Sequence, residues 1–419
     1  VATLYAQQGS EQDRRMAKNS GIGTAGLAVT GAGVLANGLA YVVPVLGARQ
    51  LTAAHLSALA TLLAMTAIAG VASTGLQIAV AVHRARSGPL PTARSALWTV
   101  LGTVGALLVV MPIAVVVLRL PAVATALAAV STVGVVAAGR WLGEMQGDQR
   151  FLPLAAGIAV VAGGRYGGVV LGLAAGLGLT LSLLLGAVTA ILALPVLHLL
   201  ARRPGVPVRG EGLPLRAVLT AGGATLAMLV VSYADLLLAR RFLPPDASGA
   251  YAVGTVLTKG ALWAPQVVTI LALPRLAQGN RRTLRLGLLV VGACGVLLVT
   301  ASALAGGLAF GLAGGADYVD MGRYAWIFAA TGACYGLVFM LVNAQVAAEA
   351  RWPSAPLWAV TVLFFLVTWL VLPHTVPGIA AGALGAAMLA LAATGVLVAV
   401  RVRTSVTEVR SSHDSLSVE

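Results

Sequence analysis

Apolar stretches of about twenty residues, separated by short clusters of Gly, Pro and charge, run through nearly the whole chain. A membrane-crossing helix needs roughly 20 predominantly apolar residues. The stretches predict twelve such helices, at 21–46, 54–83, 97–118, 122–146, 151–175, 178–201, 216–241, 248–278, 284–311, 320–348, 355–373 and 378–400. The shortest connection is 176–178, whose glycines mark either a turn or a flexible stretch of helix.

Composition makes lipid the solvent. The chain is 59% hydrophobic and 10% charged over 419 residues, with mean hydropathy +0.95. One water-soluble core cannot hide that much apolar surface, because single cores stop growing near about 250–300 residues. The 50 glycines suit transmembrane helices that approach closely. The expected class is an all-α membrane protein with twelve transmembrane helices.

Charge then orients it. With the N-terminus inside, twenty of the 27 Lys and Arg residues fall in segments on the inner side. Five, Arg49, Arg119, Arg240, Arg241 and Arg323, fall outside, and Arg165 and Lys259 lie within spans. This bias predicts a multi-pass plasma (inner) membrane protein with both termini cytoplasmic. It also accounts for the net charge of +14 as a topology signal that favours anionic lipid headgroups, not nucleic acid. Arg14 and Arg15 read as the basic flank of a retained first helix, not as a twin-arginine export signal. The polar tail from Thr404 is expected to lack regular structure, and the start at Val1 instead of Met leads us to expect a few residues before it. Cys294 and Cys334 sit in apolar stretches and read as packing residues. No ligand-like spacing suggests a metal site, and no cofactor is expected.

One long polar connection, RRPGVPVRGEGLPLR, divides the helices six and six. The expected organisation is an N-terminal cytoplasmic segment 1–20, an N-lobe 21–201, a linker 202–215, a C-lobe 216–400 and a cytoplasmic tail 401–419. A shift of 192 residues places Arg49 and Leu51 on Arg241 and Leu243, and Ala58 on Ala250. Both halves start on the same side, so this is a parallel pseudo-repeat, an arrangement found in transporters.

Three stretches carry a resemblance: VLGARQLTAAHLSALATLLAMTAIAGVASTGLQIAVAVHRA (45–85), GEMQGDQRFLPLA (143–155) and DLLLARRFLPPDASGAYAVGTVLTKGALWAPQVVTILALPRLAQ (235–278). In order and spacing they resemble the polysaccharide/oligosaccharide flippases of the multidrug/oligosaccharidyl-lipid/polysaccharide (MOP) exporter superfamily. The resemblance implies two six-helix lobes in a V-shaped, MOP-type fold around a cavity that opens alternately to each side. It also implies outward movement of an undecaprenyl-pyrophosphate-type oligosaccharide or polysaccharide precursor. The implied partners are that lipid-linked substrate, membrane lipids, and polysaccharide polymerases or glycosyltransferases. Twelve helices depart from the fourteen typical of the peptidoglycan-precursor flippases, which argues against that substrate.

Charges within spans are expensive, about 2.5–3.5 kcal/mol each near the centre on the lenient insertion scale. Arg165 lies roughly 21 Å from one end of the fifth span and Lys259 roughly 16 Å from the other side in the eighth, at about 1.5 Å per residue. Asp235 is in the seventh span. Two readings stand. In one, Arg165 and Lys259 line the cavity and attract a carrier pyrophosphate, Arg as a fork and Lys as a point charge. In the other, Asp235 satisfies Lys259 or Arg240, and Arg165 bonds backbone carbonyls. Tyr166, Gln77, Asn37, Gln266, Asn343 and Gln345 are polar groups for the same cavity, or else interhelical hydrogen-bond partners. Pro112, Pro265 and Pro274 are expected to kink their helices.

The rival readings are a cation-coupled drug exporter of the same superfamily and a non-transporting scaffold for cell-envelope assembly. The first should need intramembrane carboxylates, and only Asp235 lies well inside a span. An enzyme is not expected, because the external connections are too short to hold catalytic groups.

Overall fold

The computed structural model describes residues 28–87, 92–202, 215–263, 281–347 and 352–416. All described elements are helical. In chain order they are α1 (Ala28–Gln50), α2 (Ala53–Ala69), α3 (Val71–Ser87), α4 (Ala93–Val117), α5 (Ala122–Gly147), α6 (Phe151–Ala162), α7 (Gly168–Ala174), α8 (Gly178–Ala201), α9 (Leu215–Phe242) and α10 (Pro245–Trp263). These are followed by α11 (Arg281–Leu304), α12 (Gly306–Gly314), α13 (Ala325–Ala347), α14 (Ala355–Leu370) and α15 (Val376–Leu416). Among the described residues, ten helical segments are long and apolar enough to cross a membrane. They count α2 with the start of α3 as one (Ala53–Ala81) and α6 with α7 as another (Phe151–Ala174). Of the other two expected spans, the eighth is described only as far as α10 reaches, its part from 264 to 278 lying outside the described residues, and the eleventh corresponds to the 16-residue α14.

Small residues bring the helices together. Gly139, Gly143 and Gly147 of α5 lie on one helix face. A Cβ built on them would meet the backbone oxygens of Ser73, Gln77 and Ala81 of α3 at 2.5, 2.6 and 2.8 Å. With no side chain in the way the two backbones touch, which is how transmembrane helices gain dispersion contact where lipid supplies no hydrophobic drive. Gly164, Gly168 and Gly172 do the same for α8, against Ala193, Leu185 and Ser182. The 176–178 connection is a turn: Gly176 (φ 68°) and Gly178 (φ 75°) take the left-handed conformation that only glycine adopts without cost.

Two expectations are corrected here. The ninth span was expected to reach 311, but α11 stops at Leu304. The chain then folds back through α12 and a 3₁₀ stretch, Ala316–Tyr324, that pack on each other through Gly306 and Gly322. Gly315 (φ 99°) makes the reversal between them. The tail expected to be irregular instead continues α15 to Leu416. The sequence 401–416 contains no Gly or Pro to end a helix.

The helices gather into two compact units. One comprises the described residues of Val1–Leu46, Ala69–Val115 and Leu120–Gly222; the other comprises Gly47–Ile68, Val116–Arg119 and the described residues of Gly223–Glu419. The second unit thus takes α2 from the first half of the sequence. Ser57 hydrogen-bonds Ser248, and Gly249 packs on Ala53. Arg240 binds the same region, donating to the carbonyls of Leu118 (3.1 Å), Ala54 (3.2 Å) and Arg119 (3.0 Å). Its core runs from Leu56 and Met228 to Tyr251, Phe310, Phe328 and Tyr335.

Candidate functional site

The second unit buries a polar cluster in its apolar core. Asp235 is 4% exposed on α9, with Leu236 and Leu238 buried beside it. Its Oδ1 accepts from the Leu236 N–H at 2.8 Å and its Oδ2 from the Tyr251 hydroxyl at 3.0 Å. Tyr251 is fully buried, edge-on to Phe328 with ring centroids 5.1 Å apart. Lys259, two turns further along α10, donates to the Ser232 carbonyl and, at 3.2 Å, to the Ser232 hydroxyl. Its ammonium also stands 3.5 Å from the Tyr233 ring centroid, a cation–π contact. Tyr335 closes the cluster by donating to the Val231 carbonyl at 3.2 Å.

Arg165 belongs to the other unit. The run GGRYGG does not continue α6 as an α-helix; Gly163–Gly167 form a π-helical turn before α7. Single π turns inside α-helices recur at functional sites. Thr189 of α8 donates to the Gly164 carbonyl at 2.7 Å, supporting the irregular turn. The Arg165 guanidinium lies 5.1 Å from the Tyr166 ring centroid. A Cβ added at Gly163 or Gly167 would meet nothing within 4 Å; two residues away from Arg165 on a helix, these open positions lie on the opposite face.

The remaining candidates are dispersed. Gln77 donates to the Gln146 side chain at 2.8 Å, linking α3 to α5. Asn37 is exposed on α1. Asn343 donates to the Phe339 carbonyl of its own helix at 2.7 Å, and Gln345 is buried. Gln266, Pro265 and Pro274 lie outside the described residues. Pro112 is inside α4.

Sequence reasoning missed a charged network near the ends of α3 and α5. Arg84 pairs with Asp148 at 2.8 Å and Glu144 at 3.7 Å, and Arg140 pairs with Glu144 at 2.9 Å. Thr92 donates to Glu144 and accepts from Arg140 at 3.0 Å. Arg84 and Asp148 side chains are only 8% and 7% exposed, so their pairing offsets charges largely removed from water. Removing one partner of a buried pair strands the other, at a cost of about 3–5 kcal/mol. Arg84→Met should therefore lower thermal stability far more than the Arg84→Met/Asp148→Leu double substitution, as melting of both variants in detergent would show. The signal was present in the sequence: two of only 13 acidic residues fall four apart in GEMQGD.

The fold is similar to that of a solved MATE transporter. The crystal structure of the eukaryotic MATE transporter AtDTX14 superposes with a TM-score of 0.62 over 88% of this chain and 94% of that one, at 14% sequence identity. The sequence matches no family model and no curated protein.

Proposed function

We propose that the protein is an alternating-access transporter of the MOP superfamily, and that it moves a lipid-linked oligosaccharide or polysaccharide precursor outward across the plasma membrane. The observation that carries this reading is Arg165, a guanidinium placed mid-span by a π turn. A forked cation in low dielectric is suited to a pyrophosphate. Asp235 already accepts from Tyr251 and Leu236 within a packed core, which makes it a poor docking group for a cationic drug.

The second reading, a cation-coupled exporter, is favoured by the fold of AtDTX14, a MATE transporter, and by the same buried carboxylate. Proteoliposomes loaded with a fluorescent lipid-pyrophosphate oligosaccharide separate the two. A charged hydrogen bond is worth about 1.5–3 kcal/mol, so Arg165→Met should slow flipping roughly 10- to 100-fold, with partial recovery in Arg165→Lys. Unchanged flipping in Arg165→Met, or efflux of a cationic dye driven by an imposed ion gradient without any flipping, would overturn the first reading.

A further inference from the structure

A groove of about 750 Å³ opens on the second unit where α11, α13 and α15 converge. Its walls are apolar, with Leu288, Leu337, Leu341, Leu391 and Val398 among them, and its one charged lining residue is Arg285. Arg282 is also exposed, one helical turn nearer the start of α11. All three helices reach the same membrane face here: α11 begins at Arg281, α13 ends at Ala347, and the apolar span of α15 ends at Ala399. On the arginine bias that face is cytoplasmic.

We propose that this groove is a binding site for an anionic phospholipid of the inner leaflet, with an acyl chain against the leucines and the phosphate on Arg282 and Arg285. Two observations converge on this occupant. The lining on α15, from Leu391 to Ala399, spans roughly 12 Å at about 1.5 Å per residue. One leaflet is about 15 Å deep, half of a roughly 30 Å core, so the groove matches one lipid chain and is too short for a polymer that crosses the midplane. Basic pockets between transmembrane helices at the cytoplasmic face suit anionic headgroups, and two arginines a turn apart supply both charge and directed donors.

The site also admits a clean test. A Cβ at Gly395, which lines the groove, would meet nothing within 4 Å, so Gly395→Trp fills the space without striking the backbone. Native mass spectrometry of the full chain in detergent, titrated with dioleoyl-phosphatidylglycerol and dioleoyl-phosphatidylcholine, reads occupancy directly. The wild-type chain should bind the anionic lipid roughly 30-fold more tightly, from the attraction of two arginines. Arg282→Gln/Arg285→Gln should erase that preference and leave the melting temperature unchanged, while Gly395→Trp should weaken both lipids. Equal affinity of the wild-type chain for the two lipids, or a preference that survives both sets of substitutions, would overturn the proposal. So would a dimer that excludes lipid, which would give the groove to a second copy. A polyprenyl phosphate that displaces phosphatidylglycerol from the site at equal concentration would give it to the carrier lipid instead.

Discussion

Gly143→Leu should leave little or no folded protein, and Gly139→Leu/Gly143→Leu none. At both positions a side chain would strike α3 backbone: the Gln77 carbonyl at 2.6 Å and the Ser73 carbonyl at 2.5 Å. Overpacking a well-filled interior typically costs about 1–3 kcal/mol when side chains can give way. A carbonyl in a helix cannot, so α3 and α5 must move apart. Separation would also pull Arg84 from Asp148 and Gln77 from Gln146, since both pairs span the same two helices. Against a typical total of 5–15 kcal/mol, those losses together exhaust the margin. Gly102→Ala supplies the contrast. Its added methyl meets nothing within 4 Å on exposed α4, and removing a glycine from a helix interior gains up to about 1 kcal/mol. Fluorescence-detected size exclusion with thermal challenge would compare the three. A monodisperse Gly143→Leu protein melting near the wild type would show that α3 and α5 are not packed backbone to backbone.

The spans were legible because burial in lipid leaves its mark on every residue of a stretch. What the sequence concealed depends on partners far along the chain. Glycines in GGRYGG are equally compatible with continuous helix; the π turn is apparent only once Thr189 is seen bonding the Gly164 carbonyl. The fold-back after Leu304 rests on Gly306 meeting Gly322, a contact that hydropathy does not register. Charge counting treated Arg84 and Arg140 as signals to the insertion machinery, which they can be, while their pairing with Asp148 and Glu144 is a tertiary fact. The candidate site was partly visible for the same reason. Ionisable residues within apolar runs stand out, so Arg165, Asp235 and Lys259 were found, whereas the partners of Lys259 were not. Those partners are a backbone carbonyl, a serine hydroxyl and an aromatic face, none of which carries formal charge.

Those partners make the role of Lys259 decidable. If its ammonium chiefly balances Asp235, Asp235→Asn and Lys259→Met should each lower stability by about 3 kcal/mol, because each leaves a charge uncompensated in a low-dielectric interior. The double substitution should cost about as much as either single change and not their sum, giving a coupling energy of about 3 kcal/mol. Asn keeps one acceptor oxygen where Asp235 uses two, for the Leu236 N–H and the Tyr251 hydroxyl, so the deficit in Asp235→Asn combines the lost charge with one altered hydrogen bond. If Lys259 instead meets a substrate phosphate, Lys259→Met should stay close to wild-type stability and lose transport, and the double substitution should restore nothing. Melting and flipping rates measured on the same four proteins assign the residue. Tyr233→Leu sharpens the assignment: it removes the ring 3.5 Å from the ammonium and leaves Asp235 and its bonds in place. A pairing lysine should tolerate that change with a loss of no more than about 2 kcal/mol, the upper worth of a desolvated cation–π contact.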